Sequence, residues 1–129
     1  MDPRPSKVTV VVVSPSAATR DPLLDYFREA GVTAHGVGGA KDISRACRSA
    51  SALVVFPDEL EHPLVVSQLE AARAARPDVL FLLVTGSPQR FAACAGKKGD
   101  SVLPRVLAKP VFGWTLLDAI RAHVGEAAP

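Results

Sequence analysis

The chain has 129 residues, of which 48% are hydrophobic and 22% charged, and its mean hydropathy is +0.20. That is the size of one domain, apolar enough to exclude disorder and long enough to close a core without disulfides or metals. A formal net charge of +2 is too mild to argue for a nucleic-acid partner, and the longest apolar runs, Val10–Val13 and Val79–Val84, fall far short of the ~20 residues that span a bilayer.

The opening MDPRPSKV carries an acid and two prolines, so it does not read as a signal peptide. Residues 1–6 are expected to be an N-terminal extension, and a single domain to occupy 7–124. Val8–Val13 is β-branched and almost wholly apolar, which fits a central parallel strand covered on both faces. Ser14-Pro15-Ser16 ends it, because proline cannot donate into a ladder. A helix is predicted over Ala17–Ala30, with Leu23, Leu24, Phe27 and Ala30 on one face and Gly31 as its C-terminal stop.

Val32–Gly36 reads as a weak second strand, and Lys41–Ser49 as a helix showing Ile43, Ala46 and Cys47. Ala52–Phe56 is a third strand. Pro63–Ala75 is a helix with Val65, Leu69 and Ala72 at helical spacing. Asp78–Thr85 is a buried strand, and Ser87-Pro88 supplies the N-cap and first position of a short fourth helix ended by GKKGD at 96–100. Val106–Ala108 is a short fifth strand. Gly113–Val124 is the last helix, with Trp114, Leu117, Ile120 and Val124 in register, and 125–129 is expected to be a flexible tail.

Five strands alternating with five helices over short connections require right-handed crossovers. The expected fold class is α/β: a doubly wound, flavodoxin-like five-stranded parallel sheet of order 2-1-3-4-5, in a three-layer sandwich. Ligand chemistry in such sheets sits at the carboxyl ends of the strands. Here those ends are Ser14–Ser16, Pro57–Glu59, Thr85–Ser87 and Lys109-Pro110.

Read in this order, the chain resembles the receiver domains of two-component response regulators over about 7–124. The resemblance rests on element order, on spacing and on three local matches. LLVTG places Thr85 at the family's hydroxyl position. AKPV places Lys109 and Pro110 at its Lys-Pro. VVVVSPSAATRDPLLDYFREAGV has the length and pattern of its first strand and helix. The same resemblance places Ser14 and Pro15 where a working receiver has two acids that hold Mg²⁺. It aligns Pro57 with the phospho-accepting aspartate, with Asp58 one residue later, and Val106 with the aromatic that couples to the hydroxyl. A serine and a proline cannot replace two carboxylates in a magnesium shell, and without the cation phosphoryl transfer to a carboxylate is severely impaired.

The degenerate pocket is therefore Ser14, Pro15, Pro57, Asp58, Thr85 and Lys109. Successive strand residues face opposite ways, so Asp58 needs a bulge or loop to aim at Thr85 and Lys109. Given such a loop, a Lys109–Asp58 salt bridge is expected. Otherwise Asp58 is a solvated acid in DELEH, and Thr85 satisfies backbone at a strand end. Ser14 and Ser16 either bind phosphate at the helix N-terminus or cap it.

Three functions remain open. A pseudo-receiver would act without phosphorylation, as a cytoplasmic protein–protein interaction module of bacterial signalling. It would bind another signalling protein, or a second copy of itself, through the surface that the family builds from its fourth helix, fifth strand and fifth helix. That surface would carry Phe91, Arg105, Val106, Leu107, Trp114 and Asp118. A phosphorelay receiver would use Asp58 as acceptor. A small flavodoxin-like protein would bind a ligand. The module reading expects no catalysis, no cofactor, no metal, no nucleic acid and no membrane insertion. Cys47 and Cys94 form no metal or redox motif and read as small apolar residues. His35, His62 and His123 have no metal spacing, and Lys97-Lys98 reads as a solvated turn.

Overall fold

The computed structural model describes residues 8–76, 78–90, 105–109 and 111–123. Its elements in chain order are β1 (Thr9–Val13), α1 (Ala17–Glu29), β2 (Thr33–Val37), α2 (Ile43–Cys47), β3 (Ala52–Val55), α3 (His62–Ala75), β4 (Leu80–Thr85), β5 (Arg105–Ala108) and α4 (Gly113–His123). The strands form one parallel sheet of order β2-β1-β3-β4-β5, the expected topology. The three most apolar strands occupy the centre, and the edges go to β2 and β5, in which Ala34 is the one buried residue. Four α-helices lie among the described residues. Of the helix expected after Ser87-Pro88 only 88–90 are described, as a 3₁₀ turn closed by the Arg90 N–H to Ser87 O at 3.0 Å; its remainder lies outside the described residues, as do Phe91, Cys94, Lys97-Lys98, Pro110, Val124 and both chain ends.

Strand alternation divides the core in two. Val10, Val12, Val54, Leu82 and Val84 pack with Leu24 and Phe27 of α1 and Leu116, Leu117 and Ile120 of α4. Val11, Val13, Leu53, Val55, Phe81 and Leu83 pack with Ile43 and Cys47 of α2 and Val65, Leu69 and Ala72 of α3. A parallel sheet covered on both faces produces the near-continuous apolar strands seen in the sequence. Phe27 is completely buried in the first half. Phe27→Ala is expected to cost about 3–5 kcal/mol through lost burial and the cavity left behind, measured by urea unfolding of the two proteins.

The helix ends follow their local chemistry. Ser16 caps α1, its hydroxyl accepting from the Thr19 N–H at 3.3 Å. Gly31 ends the helix in the left-handed region at φ +88°, where a Cβ would be strained. The second helix is shorter than the sequence pattern predicts. After Gly38-Gly39 the chain first makes a 3₁₀ turn over Ala40–Asp42, and only Ile43–Cys47 is α-helical. Trp114 does not join the buried stripe of α4. Leu116 takes that place, and Trp114 in the first turn stacks on Phe112 outside the core. No helix of the described residues is long and apolar enough to cross a membrane.

Candidate functional site

The site lies at the carboxyl end of the sheet and is organised by one proline. Phe56 continues β3 by donating its N–H to Val13 O at 3.1 Å. Pro57, buried, then starts a single 3₁₀ turn over Pro57–Glu59. The turn is closed by the Glu59 N–H to Phe56 O and the Leu60 N–H to Pro57 O, both at 3.1 Å. Proline is suited to the first position of such a turn, having no N–H to leave unpaired. Side chains in a 3₁₀ turn step about 120° per residue, so strand alternation ends here and two consecutive acids go separate ways.

Asp58 reaches toward β4 and β5. Its Oδ1 accepts from the Thr85 hydroxyl at 2.6 Å and its Oδ2 from the Gly86 N–H at 2.7 Å. Lys109 Nζ stands 3.6 Å from Oδ2 and 5.9 Å from the centroid of the Phe56 ring. Thr85 is fully buried, and its oxygen also accepts from the Ser87 N–H at 3.0 Å. Burial by itself would raise the Asp58 carboxyl. The Thr85 hydroxyl, the Gly86 N–H and the Lys109 charge outweigh it and hold the group below its ordinary value. Hydroxyl, amide and ammonium together form an oxyanion pocket, and the chain's own carboxylate fills it.

Glu59 reaches the other way, toward β1 and α1. It accepts from the buried Ser14 hydroxyl and from the Thr19 hydroxyl, the latter at 3.0 Å. Ser14 Oγ also accepts from the Ser16 N–H at 3.0 Å, and Arg20 Nη1 donates to Ser14 O at 2.8 Å. A carboxylate at the start of α1 is favoured by the helix dipole. The phosphate place considered for Ser14 and Ser16 is thus taken internally: Ser14 holds Glu59 and Ser16 caps the helix.

The structure brings Ser14, Pro57, Asp58, Thr85 and Lys109 to one end of the sheet and makes the expected Lys109–Asp58 contact, while Pro15 faces solvent. Asp58 is an exposed loop residue whose carboxylate is nonetheless held by Thr85, Gly86 and Lys109. Of the expected partner surface, Arg105, Trp114 and Asp118 are exposed. Val106 and Leu107 are half-buried against the two core clusters. Sequence reasoning missed the part played by Thr19, Glu59 and the Gly86 N–H. The signal was Pro57 followed by two acids at a strand end, which reads as a turn that separates them.

Two other polar features lie apart from this site. Cys47 is buried, its thiol lies 3.8 Å from Ala72 O, and burial pushes its pKa up. A cavity of ≈ 290 Å³ opens at the opposite end of the sheet, lined by Arg48, Ser51, Arg76, Asp78 and His123. Arg76 is spent on Asp78 at 2.9 Å and on the Arg48 carbonyl at 2.6 Å, and His123 bonds the Asp78 carbonyl at 2.8 Å.

This architecture is that of response-regulator receiver domains. The structure is similar to a response regulator receiver protein from Sinorhizobium medicae WSM419, with a TM-score of 0.76 and 15% identity over 92% of this chain and 95% of that one. It is similar to a receiver domain protein from Methanospirillum hungatei JF-1, with a TM-score of 0.70 and 21% identity over 94% and 96% of the two chains. A receiver domain from Methylobacillus flagellatus aligns with a TM-score of 0.68 and 19% identity over 92% and 99%. No protein-family model matches the chain, and comparison with curated proteins finds no match. At these identities the likeness establishes the fold, and the site must be read from its own residues.

Those residues do not fit a magnesium ion. Ser14 offers a hydroxyl already committed to Glu59, Pro15 offers no donor, and both Asp58 oxygens are taken. Among the described residues no group of three His, Cys, Asp or Glu side chains lies close enough to hold a metal. A magnesium shell needs near-octahedral hard oxygens, and the carboxylates here are satisfied by hydroxyls, an amide and an ammonium instead.

Proposed function

We propose that this chain is a pseudo-receiver: a receiver-fold interaction module of bacterial signalling that works without aspartyl phosphorylation, in the cytoplasm, by binding and not by catalysis. The observation that carries this reading is the filled oxyanion pocket. Asp58 gives both oxygens to Thr85, Gly86 and Lys109. A carboxylate so engaged is a poor nucleophile, and the Lys109 ammonium, already paired with it, is a single charge where phosphoryl transfer ordinarily uses a divalent cation. The pocket then rests in one state, and the domain presents one surface at all times.

One observation favours the phosphorelay alternative. The turn at Pro57 delivers Asp58 to the same hydroxyl and lysine that the receiver resemblance marks at Thr85 and Lys109. The two readings separate in a single experiment. The protein is incubated with acetyl phosphate, or with beryllofluoride, in the presence and absence of Mg²⁺. Intact mass and the fluorescence of Trp114 are then followed. The module reading expects no phosphoryl adduct and no Mg²⁺-dependent spectral change. An adduct that requires Mg²⁺ and vanishes in Asp58→Ala would establish the phosphorelay instead.

A further inference from the structure

The cavity of ≈ 290 Å³ at the end of the sheet away from Asp58 is lined by residues that end three helices. Arg48 follows α2, Arg76 follows α3 and His123 is the last residue of α4. Helices that cross between parallel strands run against them, so their carbonyl ends gather here, each with partial negative charge. Part of that charge is already answered. Arg76 donates from Nη1 to Cys47 O at 3.3 Å and to Arg48 O at 2.6 Å. Its Nε and Nη2 donate to the two Asp78 carboxylate oxygens at 3.0 and 2.9 Å. His123 Nε2 lies at hydrogen-bond distance, 2.8 Å, from Asp78 O.

The other groups at the cavity have capacity to spare. Arg48 and Ser49 are exposed, and among the described residues neither side chain makes a hydrogen bond or an ion pair. Ser51 Oγ accepts from the Thr9 N–H at 3.2 Å, and its own proton has no acceptor among the described residues. The Asp78 side chain is 69% exposed. A carboxylate has about four lone-pair sites, so the two bonds from Arg76 leave room for further donors. Those bonds also hold the Asp78 carboxyl below its ordinary value, which keeps it charged at neutral pH. Because one guanidinium touches both the Arg48 carbonyl and the Asp78 carboxylate, only its width separates the end of α2 from a fixed negative charge.

Charge and size select the ligand. A bare anion is disfavoured by the helix ends and by Asp78, and a bare cation by Arg48 and Arg76. A molecule carrying both charges suits the cavity. A carboxylate matches the planar fork of Arg48 and the serine hydroxyls, and an ammonium matches Asp78. A volume of ≈ 290 Å³ stands at the lower edge of the ~300–1,000 Å³ of small-molecule sites, which suits a ligand of amino-acid size.

We propose that this cavity binds a free α-amino acid, its carboxylate on Arg48 and the hydroxyls of Ser49 and Ser51, its ammonium on Asp78. With His123 on the rim, the ligand joins the end of α4 to the ends of α2 and α3, which pack on the opposite face of the sheet. The site is separate from the oxyanion pocket and stands whether or not Asp58 accepts a phosphoryl group. It gives a domain whose oxyanion pocket is filled another place to receive a signal.

The test uses the whole chain, with calorimetry and thermal melts read together. The probes are L-alanine, L-serine and L-glutamate at millimolar concentration. Each is compared with its N-acetyl and its α-amide form, which remove the ammonium charge and the carboxylate in turn. The expected result is saturable binding of at least one free amino acid and a raised melting temperature, as for any ligand that binds only the folded state. Both blocked forms of that amino acid should bind at least about tenfold more weakly, since each leaves one charge of the cavity unanswered. Arg48→Gln should lose about tenfold in affinity. Its melting temperature without ligand should remain that of the wild type, because the Arg48 side chain holds nothing else among the described residues. Ser49→Ala should lose about threefold through one hydroxyl. No saturable binding of any of the three amino acids overturns the proposal. So do blocked forms that bind as tightly as the free amino acid, or an affinity that neither Arg48→Gln nor Ser49→Ala changes.

Discussion

Asp58→Ala is expected to lower the unfolding free energy by about 1–2 kcal/mol at neutral pH and to open the pocket to an outside anion. The substitution leaves the Thr85 hydroxyl and the Gly86 N–H without their acceptor and Lys109 without its counter-charge. Thr85 is fully buried, so its orphaned hydroxyl carries a real desolvation cost. The Asp58 side chain is 28% exposed, so water replaces part of the lost bonding and keeps the figure low in the range. The ion pair with Lys109 adds little, since half-exposed pairs contribute less than about 1 kcal/mol. Inorganic phosphate in the millimolar range should raise the melting temperature of Asp58→Ala and leave that of the wild-type chain unchanged. If both proteins ignore phosphate, the three donors do not converge on one anion position.

The same pocket fixes a pH dependence. The Asp58 carboxyl is lowered from its ordinary 3.8, so the folded state binds its proton less readily than the unfolded chain does. Such a group contributes stability above the unfolded value and loses it as pH falls through 3.8 toward the lower folded value. The melting-temperature gap between wild type and Asp58→Asn should therefore be widest near neutrality. It should close as the pH is taken down to about 3, the region in which aspartates protonate. A gap that widens on acidification would mean that the carboxyl is held above its ordinary value, which the hydrogen bonds do not allow.

Most of the fold was legible because burial on both faces writes itself into sequence. The runs TVVVV and LFLLVT are recognisable as central strands without any structure, and parallel order follows from their alternation with helices. Trp114 was not legible, because its spacing from Leu117 and Ile120 suits a buried stripe. Only the position of the helix start, with Phe112 beside it, decides that the ring lies outside. The pocket was half legible. Thr85 and Lys109 stand at strand ends where side chains must converge. Asp58 could be placed only by knowing that Pro57 turns the chain, and strand alternation alone would have pointed it away. Glu59 was harder still, since its partners Ser14 and Thr19 come from a different strand end and helix.

The contact between Ser14 at the end of β1 and Glu59 in the turn after β3 leads to the largest effect expected in the site. Ser14→Asp should destabilise the fold by about 2–4 kcal/mol at neutral pH, because it removes a buried donor and faces the Glu59 carboxylate with a second one. Ser14 is fully buried and donates its hydroxyl to Glu59. Two carboxylates in that space cannot both ionise without cost, so one of them must titrate above its unfolded value. A group raised in this way is tolerated below its unfolded value and becomes unfavourable as pH rises through the folded one. The deficit of Ser14→Asp should accordingly shrink in acid and grow toward neutrality, followed by thermal melts across that range. Glu59→Gln alone should cost about 1 kcal/mol, since the amide oxygen still accepts one of the two hydroxyls. Combined with Ser14→Asp it should restore stability, because the amide N–H can donate to the introduced carboxylate. The double-mutant cycle then gives a favourable coupling between positions 14 and 59. Coupling of that sign means that the acid at this end of the pocket comes from the turn after β3 and is held by hydroxyls. A chain built that way gains nothing from carboxylates at the end of β1 and is destabilised by them. Additive effects in the cycle would instead detach Glu59 from Ser14, and with it the structural reason for a serine at that strand end.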